Sequence, residues 1–215
     1  VTEKRYLMES TLAGEATITA LGSDDQGDWI QLDRTWFHPQ GGGQKADQGQ
    51  VSGRDVLSVR HATAGEVRHY LKDLEGLDVG SSVNLQVAPE FRDLSARLHT
   101  AGHLIAAVAE SAFPRLRGVS GHHWPGEARV EFEGDRIPPR QAFEDALLEG
   151  MGDAIMEVTP VRIVGDPFSD RKIQIGDFPP ISCGGTHLEN LLGFRGIEIT
   201  RVRQKGGRLR VSYKD

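Results

Sequence analysis

The chain has 215 residues, 38% of them hydrophobic and 26% charged, with a net charge of −6 and one cysteine. That length suits one large domain or two small ones with a real core, and the composition excludes a disordered chain. A single cysteine excludes an internal disulfide and fits a reducing compartment, and the acidic balance argues against sequence-blind coating of nucleic acid.

The start of the chain, Val1-Thr-Glu-Lys-Arg5, is polar and opens no signal peptide. The longest apolar run, Leu104 to Ala109, is too short to span a membrane, so a cytoplasmic protein without membrane contact is expected. Residues 1–88 read as β structure. Ala16 to Leu21, Trp29 to Asp33, Asp55 to Arg60, Val67 to Leu71 and Val83 to Val87 alternate in part, and turn residues such as Gly22, Gly27, Gly49, Gly53, Gly65, Gly76 and Gly80 separate them. Short strands at this spacing predict a small barrel or sandwich. Inside this region lies Trp36-Phe-His-Pro-Gln-Gly-Gly-Gly-Gln44. It lacks the Gly-Lys-Ser/Thr ending of a P-loop and opens no βαβ unit, so nucleotide-binding fingerprints fail. Gly41, Gly42, Gly43 and Gln44 are instead candidates for a flexible loop that offers main-chain amides to a substrate; a surface loop without a function is the competing reading.

A domain boundary is expected near residue 88, separating a β-barrel-like domain, 1–88, from a second domain, 89–215. Pro89 suits the first turn of a helix. Leu94, Leu98, Ala101, Ile105, Val108, Ala109 and Ala112 then recur at helical spacing until Phe113-Pro114 ends the run. His99 and His103 stand four apart on this helix and so share a face. Gly102 costs about 1 kcal/mol against alanine in a helix interior, which implies that some group approaches closely there. Pro114 to Gly126 reads as a loop carrying Ser120, His122 and His123, with the histidines expected to be exposed. Ala128 to Glu133 reads as a strand and 140–156 as a second helix after Pro138-Pro139. Val158 to Val164 and Arg171 to Ile175 read as strands, and Gly196 to Gln204 with Arg208 to Tyr213 as a hairpin around Lys205-Gly206-Gly207. The expected class is α+β: a small barrel-like domain followed along the chain by a domain with helices packed on an antiparallel sheet.

Two stretches carry the chemistry. His99-Thr-Ala-Gly-His103 and Cys183-Gly-Gly-Thr-His187 each set two metal-type donors four residues apart. The second follows Pro179-Pro180 and contains Gly184-Gly185, so it is a loop free to fold back on itself. Three imidazoles and the only thiol match the nitrogen and sulfur preference of four-coordinate zinc. No glutamate stands between His99 and His103, which disfavours the helical zinc-protease mechanism. The last 21 residues carry a net charge of +5, leaving −11 on the rest. Arg195, Arg201, Arg203, Lys205, Arg208, Arg210 and Lys214 thus form a basic end suited to local phosphate contact, or else a solvated strand face.

Together the His99/His103 pair, the Cys183-Gly-Gly-Thr-His187 loop, Phe37-x-Pro39-x-Gly-Gly-Gly-Gln44 and Lys205-Gly-Gly-Arg-Leu-Arg-Val-Ser-Tyr213 resemble the AlaX type of alanyl-tRNA editing protein. That family is similar to the editing domain of alanyl-tRNA synthetase and, more distantly, of threonyl-tRNA synthetase. The chain departs from the family pattern at Gly102, at Glu131-Phe-Glu133 and at His122-His123. The resemblance implies a trans-acting zinc-dependent deacylase that removes serine or glycine from mischarged tRNA(Ala), gripping the acceptor end. It implies His99, His103, Cys183 and His187 as zinc ligands, with His103 and His187 also carrying catalysis, and Ser120 as a hydroxyl for sensing the substrate side chain. Arg201, Arg203, Lys205, Arg208 and Arg210 would hold the tRNA. A structural-zinc RNA-binding module and a metal-dependent small-molecule esterase are the alternatives, and the oligomeric state is open.

Overall fold

Alternation of buried and exposed residues along short strands, punctuated by turns, builds the first part of the molecule. The computed structural model describes residues 1–194 and 196–215; Arg195 of the basic end lies outside the described residues. The chain divides into two units, Val1–Gly41 with Lys45–Asp93, and Gly42–Gln44 with Leu94–Asp215.

In the first unit, β1 (Glu3–Lys4) runs parallel to β4 (Arg34–Thr35). Six strands close a barrel: β2 (Ala13–Asp24), β3 (Gly27–Leu32), β5 (Gly49–Val51), β6 (Arg54–His61), β7 (Val67–Leu71) and β8 (Ser82–Val87). Their order is β2-β3-β7-β6-β5-β8, and every pairing is antiparallel. Closure depends on β2, whose first half pairs with β8 and whose second half pairs with β3, with a register shift between Ile18 and Ala20 where it changes partner. A bulge at that point bends one strand round a barrel corner. Ile18, Ile30, Leu32, Val51, Val59, Val67, Leu71, Leu85 and Val87 fill the interior.

The barrel unit also holds a buried ion pair. Asp47 accepts from Arg92 Nε at 3.1 Å to each oxygen and from the His38 backbone N–H at 2.6 Å, and Arg92 Nη2 also donates to the Trp36 carbonyl at 2.6 Å. These bonds tie both shoulders of the glycine loop to the first turn of α1 (Pro89–Ala112).

In the second unit, α1 continues from Leu94 and is followed by β9 (Leu116–His122), β10 (Arg129–Gly134), α2 (Arg140–Met156), β11 (Val161–Val164), β12 (Lys172–Ile175), β13 (Ile181–Ser182), β14 (Glu198–Lys205) and β15 (Arg208–Lys214). One antiparallel sheet has the order β14-β15-β10-β9 and another the order β11-β12-β13. Leu98, Ile105 and Val108 of α1 join Phe143 and Leu147 of α2 and the inward residues Val130, Phe132, Leu209 and Val211 in one core. Gly206 and Gly207, at φ of +60° and +78°, make the two-residue turn of the β14–β15 hairpin, a geometry that costs glycine nothing.

The α+β class and the barrel are as the sequence predicts. One expected loop is not a loop. Residues 116–122 form β9, paired with β10 and interrupted by a register shift between Glu131 and Phe132. Only Leu116 of this strand is buried, and Arg117 to Gly121 are exposed. An edge strand held by backbone bonds leaves no alternation to read. Among the described residues no helix is long and apolar enough to cross a membrane.

Candidate metal centre

Helical spacing puts His99 and His103 one turn apart on α1, with ring centroids 5.1 Å from each other. The loop after β13 brings Cys183 and His187 to the same place. One ligand atom from each of His99, His103, Cys183 and His187 lies within 4.8 Å of all the others. The Cys183 sulfur is 3.4 Å from His99 Nε2 and 3.2 Å from His187 Nε2. A zinc ion about 2.3 Å from sulfur and about 2.0 Å from nitrogen sets sulfur–nitrogen edges of roughly 3.5 Å in a tetrahedron. Two imidazole nitrogens facing one sulfur also exceed what a single thiol proton can satisfy. Donor types and spacing therefore fit a zinc ion.

Glycine makes the approach possible. A Cβ on Gly185 would lie 2.2 Å from the His99 ring, so the Cys183–His187 loop can rest on that ring only if residue 185 has no side chain. Burial raises the pKa of the Cys183 thiol, with the Gly185 N–H and the Arg171 charge acting the other way. Burial, followed by the charge of Arg171, lowers His103 to about 4, which keeps it in the neutral form that binds metals.

The rings are held from behind. Thr186 N–H donates to Gln44 Oε1 at 2.9 Å, and Gln44 Nε2 donates to Thr186 Oγ1 at 2.8 Å. This fixes the amide orientation, so His99 Nδ1, 2.8 Å from the same Oε1, must be the donor. The Nε2 lone pair of His99 then points at the cluster. Thr100 Oγ1 accepts from Leu188 N–H at 3.1 Å and stands 3.2 Å from His187 Nδ1, an equivalent support for the second ring. Such outer partners set the tautomer and orientation of metal-binding histidines.

A cavity of about 730 Å³ opens beside the cluster, lined among others by Gly42, Gly43, Ser120, Gly121, His123 and Pro180. His123 has only 5% of its surface exposed, contrary to the expected open-loop histidine. Its ring stacks on His99 with centroids 4.4 Å apart and planes 22° apart. A Cβ on Gly102 would sit 2.2 Å from its Cε1. The odd glycine inside α1 is therefore the seat of the His123 ring, and it was the one signal in the sequence that could have found this residue. Burial, with smaller contributions from His103 and His122, takes His123 down to about 3, so it is uncharged at neutral pH.

Other candidate residues fall elsewhere. Gln44 is fully buried, and its side chain is committed to His99 and Thr186 rather than to the cavity. Gly41 belongs to the first unit and packs near His61. Arg201, Arg203, Lys205, Arg208 and Arg210 are exposed on the β14–β15 hairpin and do not line this cavity. Arg210 pairs with Glu131 at 2.6 Å and Arg208 pairs with Glu133.

The α+β unit thus carries a His₃Cys cluster that could hold a metal ion, beside an open cavity. No family model matches the chain. It is 31% identical to the alanyl-tRNA editing protein AlaX-M of Pyrococcus horikoshii over 75% of the chain and 74% of that protein. Against the protein of that name from Methanosarcina mazei it is 28% identical, over 99% of the chain and 96% of the relative. It is also 30% identical to the alanine–tRNA ligase of Saccharopolyspora erythraea, over 73% of the chain but 20% of the ligase. The chain belongs to the AlaX-M family of alanyl-tRNA editing proteins.

Proposed function

We propose that this protein hydrolyses the ester of mischarged tRNA(Ala), with serine or glycine as the amino acid removed, at a zinc site made by His99, His103, Cys183 and His187. The observation that carries the reading is the convergence of these four donors, two of them held from behind, at the edge of a cavity partly lined by glycines. An aminoacyl ester is already activated, so modest assistance suffices. A zinc ion held there supplies Lewis acidity and a fixed point for orienting the ester. His103 and His187 then contribute as ligands, Gln44 and Thr100 hold rings in place, and Gly42 and Gly43 let the terminal nucleoside approach the main chain. Ser120 lines the same space with a hydroxyl.

The test is a deacylation panel of seryl-, glycyl- and alanyl-tRNA(Ala), each with and without a chelator. Seryl and glycyl esters are expected to be cleaved and the alanyl ester spared. Chelator should stop cleavage and added zinc should restore it. Binding of zinc and tRNA without turnover would establish an RNA-binding module instead. Equal turnover of a simple amino-acid ester would establish a small-molecule esterase.

The hairpin carries its own expectation. Arg201 and Arg203 on edge strand β14 have no ion-pair partner among the described residues, whereas Arg208 and Arg210 are paired with glutamates. Unpaired arginines are the ones available to phosphate. Arg201→Ala with Arg203→Ala should weaken tRNA binding and reduce the salt slope of log K by about 1 to 2, since each phosphate contact contributes about 0.7 to 0.9. Hydrolysis of a minimal aminoacyl-adenosine ester should stay unchanged. Equal losses on the minimal ester and on tRNA would remove the hairpin from the binding surface.

A further inference from the structure

His123 is the buried polar group beside the cluster whose chemistry the site leaves unused. Tyr213 Oη donates its single proton to the Leu98 carbonyl at 3.0 Å, and that carbonyl can only accept. His123 Nδ1, 2.5 Å from Tyr213 Oη, is therefore the donor in its own hydrogen bond. With the ring proton held on Nδ1 by this bond, a neutral imidazole presents its lone pair at Nε2. Nε2 has no hydrogen-bond partner among the described residues, and the ring lines the cavity. A ligand that fills the cavity takes water away from this acceptor, so one that brings a donor gains by meeting it.

Three glycines clamp the ring in this pose. Besides Gly102, a Cβ on Gly121 would lie 2.5 Å from Nε2 and one on Gly43 would lie 3.1 Å from Cδ2. Helix α1, strand β9 and the glycine loop each give up a side chain for this ring. The backbone adds a further bond, His123 N–H to the Gly43 carbonyl at 2.8 Å. Ser120, the other candidate for sensing a side chain, is exposed and stands opposite Glu131 on the neighbouring strand.

We propose that His123 is a specificity-determining residue whose Nε2 accepts a hydrogen bond from the side-chain hydroxyl of a seryl ester. The inference rests on the deacylase reading and deepens it. A site with a fixed acceptor favours the group that bears a hydroxyl over the isostere that lacks it, because the acceptor is otherwise left unpaired. A charged α-ammonium is the poorer donor here, since a metal ion in the adjacent cluster would repel it. The ribose hydroxyls and the α-amine are common to every aminoacyl end, which the substrate comparison exploits.

The experiment uses the zinc-loaded full chain and compares kcat/KM on seryl-tRNA(Ala) with that on glycyl-tRNA(Ala). His123→Phe keeps the stacked ring and removes both nitrogens. It should lower seryl turnover by about 10- to 100-fold and glycyl turnover by less than about threefold, with zinc content unchanged. Tyr213→Phe removes the tautomer lock and should give a smaller loss, again confined to seryl. Ser120→Ala should change the ratio less than His123→Phe does. Equal losses on both substrates, or an unchanged ratio, would overturn the proposal. If His123→Phe fails to fold or to hold zinc, the wild type decides. Its His123 Nε2 resonance should move when a non-hydrolysable seryl-adenosine amide binds and stay put with the alanyl amide, and equal movement would overturn the proposal. A wild-type protein that cleaves neither ester refutes the deacylase reading itself; an active one with an unaltered ratio in the variant refutes only the role of His123.

Discussion

Replacing Cys183 with alanine is expected to weaken zinc binding by more than about a hundredfold and to abolish ester hydrolysis. The scale comes from the outer partners of metal sites, whose loss already costs about 10- to 100-fold in affinity. Loss of a coordinating thiolate from a four-donor cluster must exceed that. Cys183 is also the hub of the cluster, with two imidazole nitrogens directed at its sulfur. His103→Ala should act the same way, because its ring stands 4.7 Å from that of His187 and closes the group. Gln44→Ala is the graded companion. It leaves all four donors in place but frees His99 Nδ1, so about 10- to 100-fold is the expected loss. Metal analysis of dialysed protein and a competitive chelator titration measure all three. Full retention of zinc in both Cys183→Ala and His103→Ala would refute the site.

Arg92→Met should cost the barrel unit about 3–5 kcal/mol, the range measured when one partner of a buried ion pair is removed. The Asp47 side chain is 0% exposed, so its carboxylate cannot turn to solvent when the guanidinium goes. It would keep the His38 N–H, which is too little to hold a buried charge. Urea unfolding followed by a barrel tryptophan, such as Trp29 or Trp36, reads the loss. Asp47→Leu combined with Arg92→Met removes the charge as well and should recover much of the stability, as buried pairs replaced by apolar groups commonly do. A loss below about 1 kcal/mol in the single variant would show that the pair is not the anchor of the glycine loop.

The difference between these predictions marks what a linear reading can reach. His99 with His103, and Cys183 with His187, were visible because each pair is local and its spacing has a direct geometric meaning, one turn of helix or one glycine-rich loop. Five of the six barrel strands and α2 were visible for the same reason, through alternation, helical period and turn residues, whereas Gly49 of β5 read as a turn. Asp47 and Arg92 are 45 residues apart, and neither carried any mark of the other. Strand β9 was missed because its exposed face has no pattern to read.

The sequence by itself determined most of the elements, the class and the chemical identity of the four donors, since these follow from residue type and short-range spacing. Tertiary structure alone decided that Gln44 stands behind His99 rather than in the cavity, that Arg208 and Arg210 are paired with Glu133 and Glu131, and that His123 lies stacked on His99. Gly102 shows the limit most plainly. Its place in the helix announced that something comes close, but the group that does so is 21 positions along the chain, brought there by β9 and Tyr213. A missing side chain records that space is needed, and only the folded chain determines which group fills it.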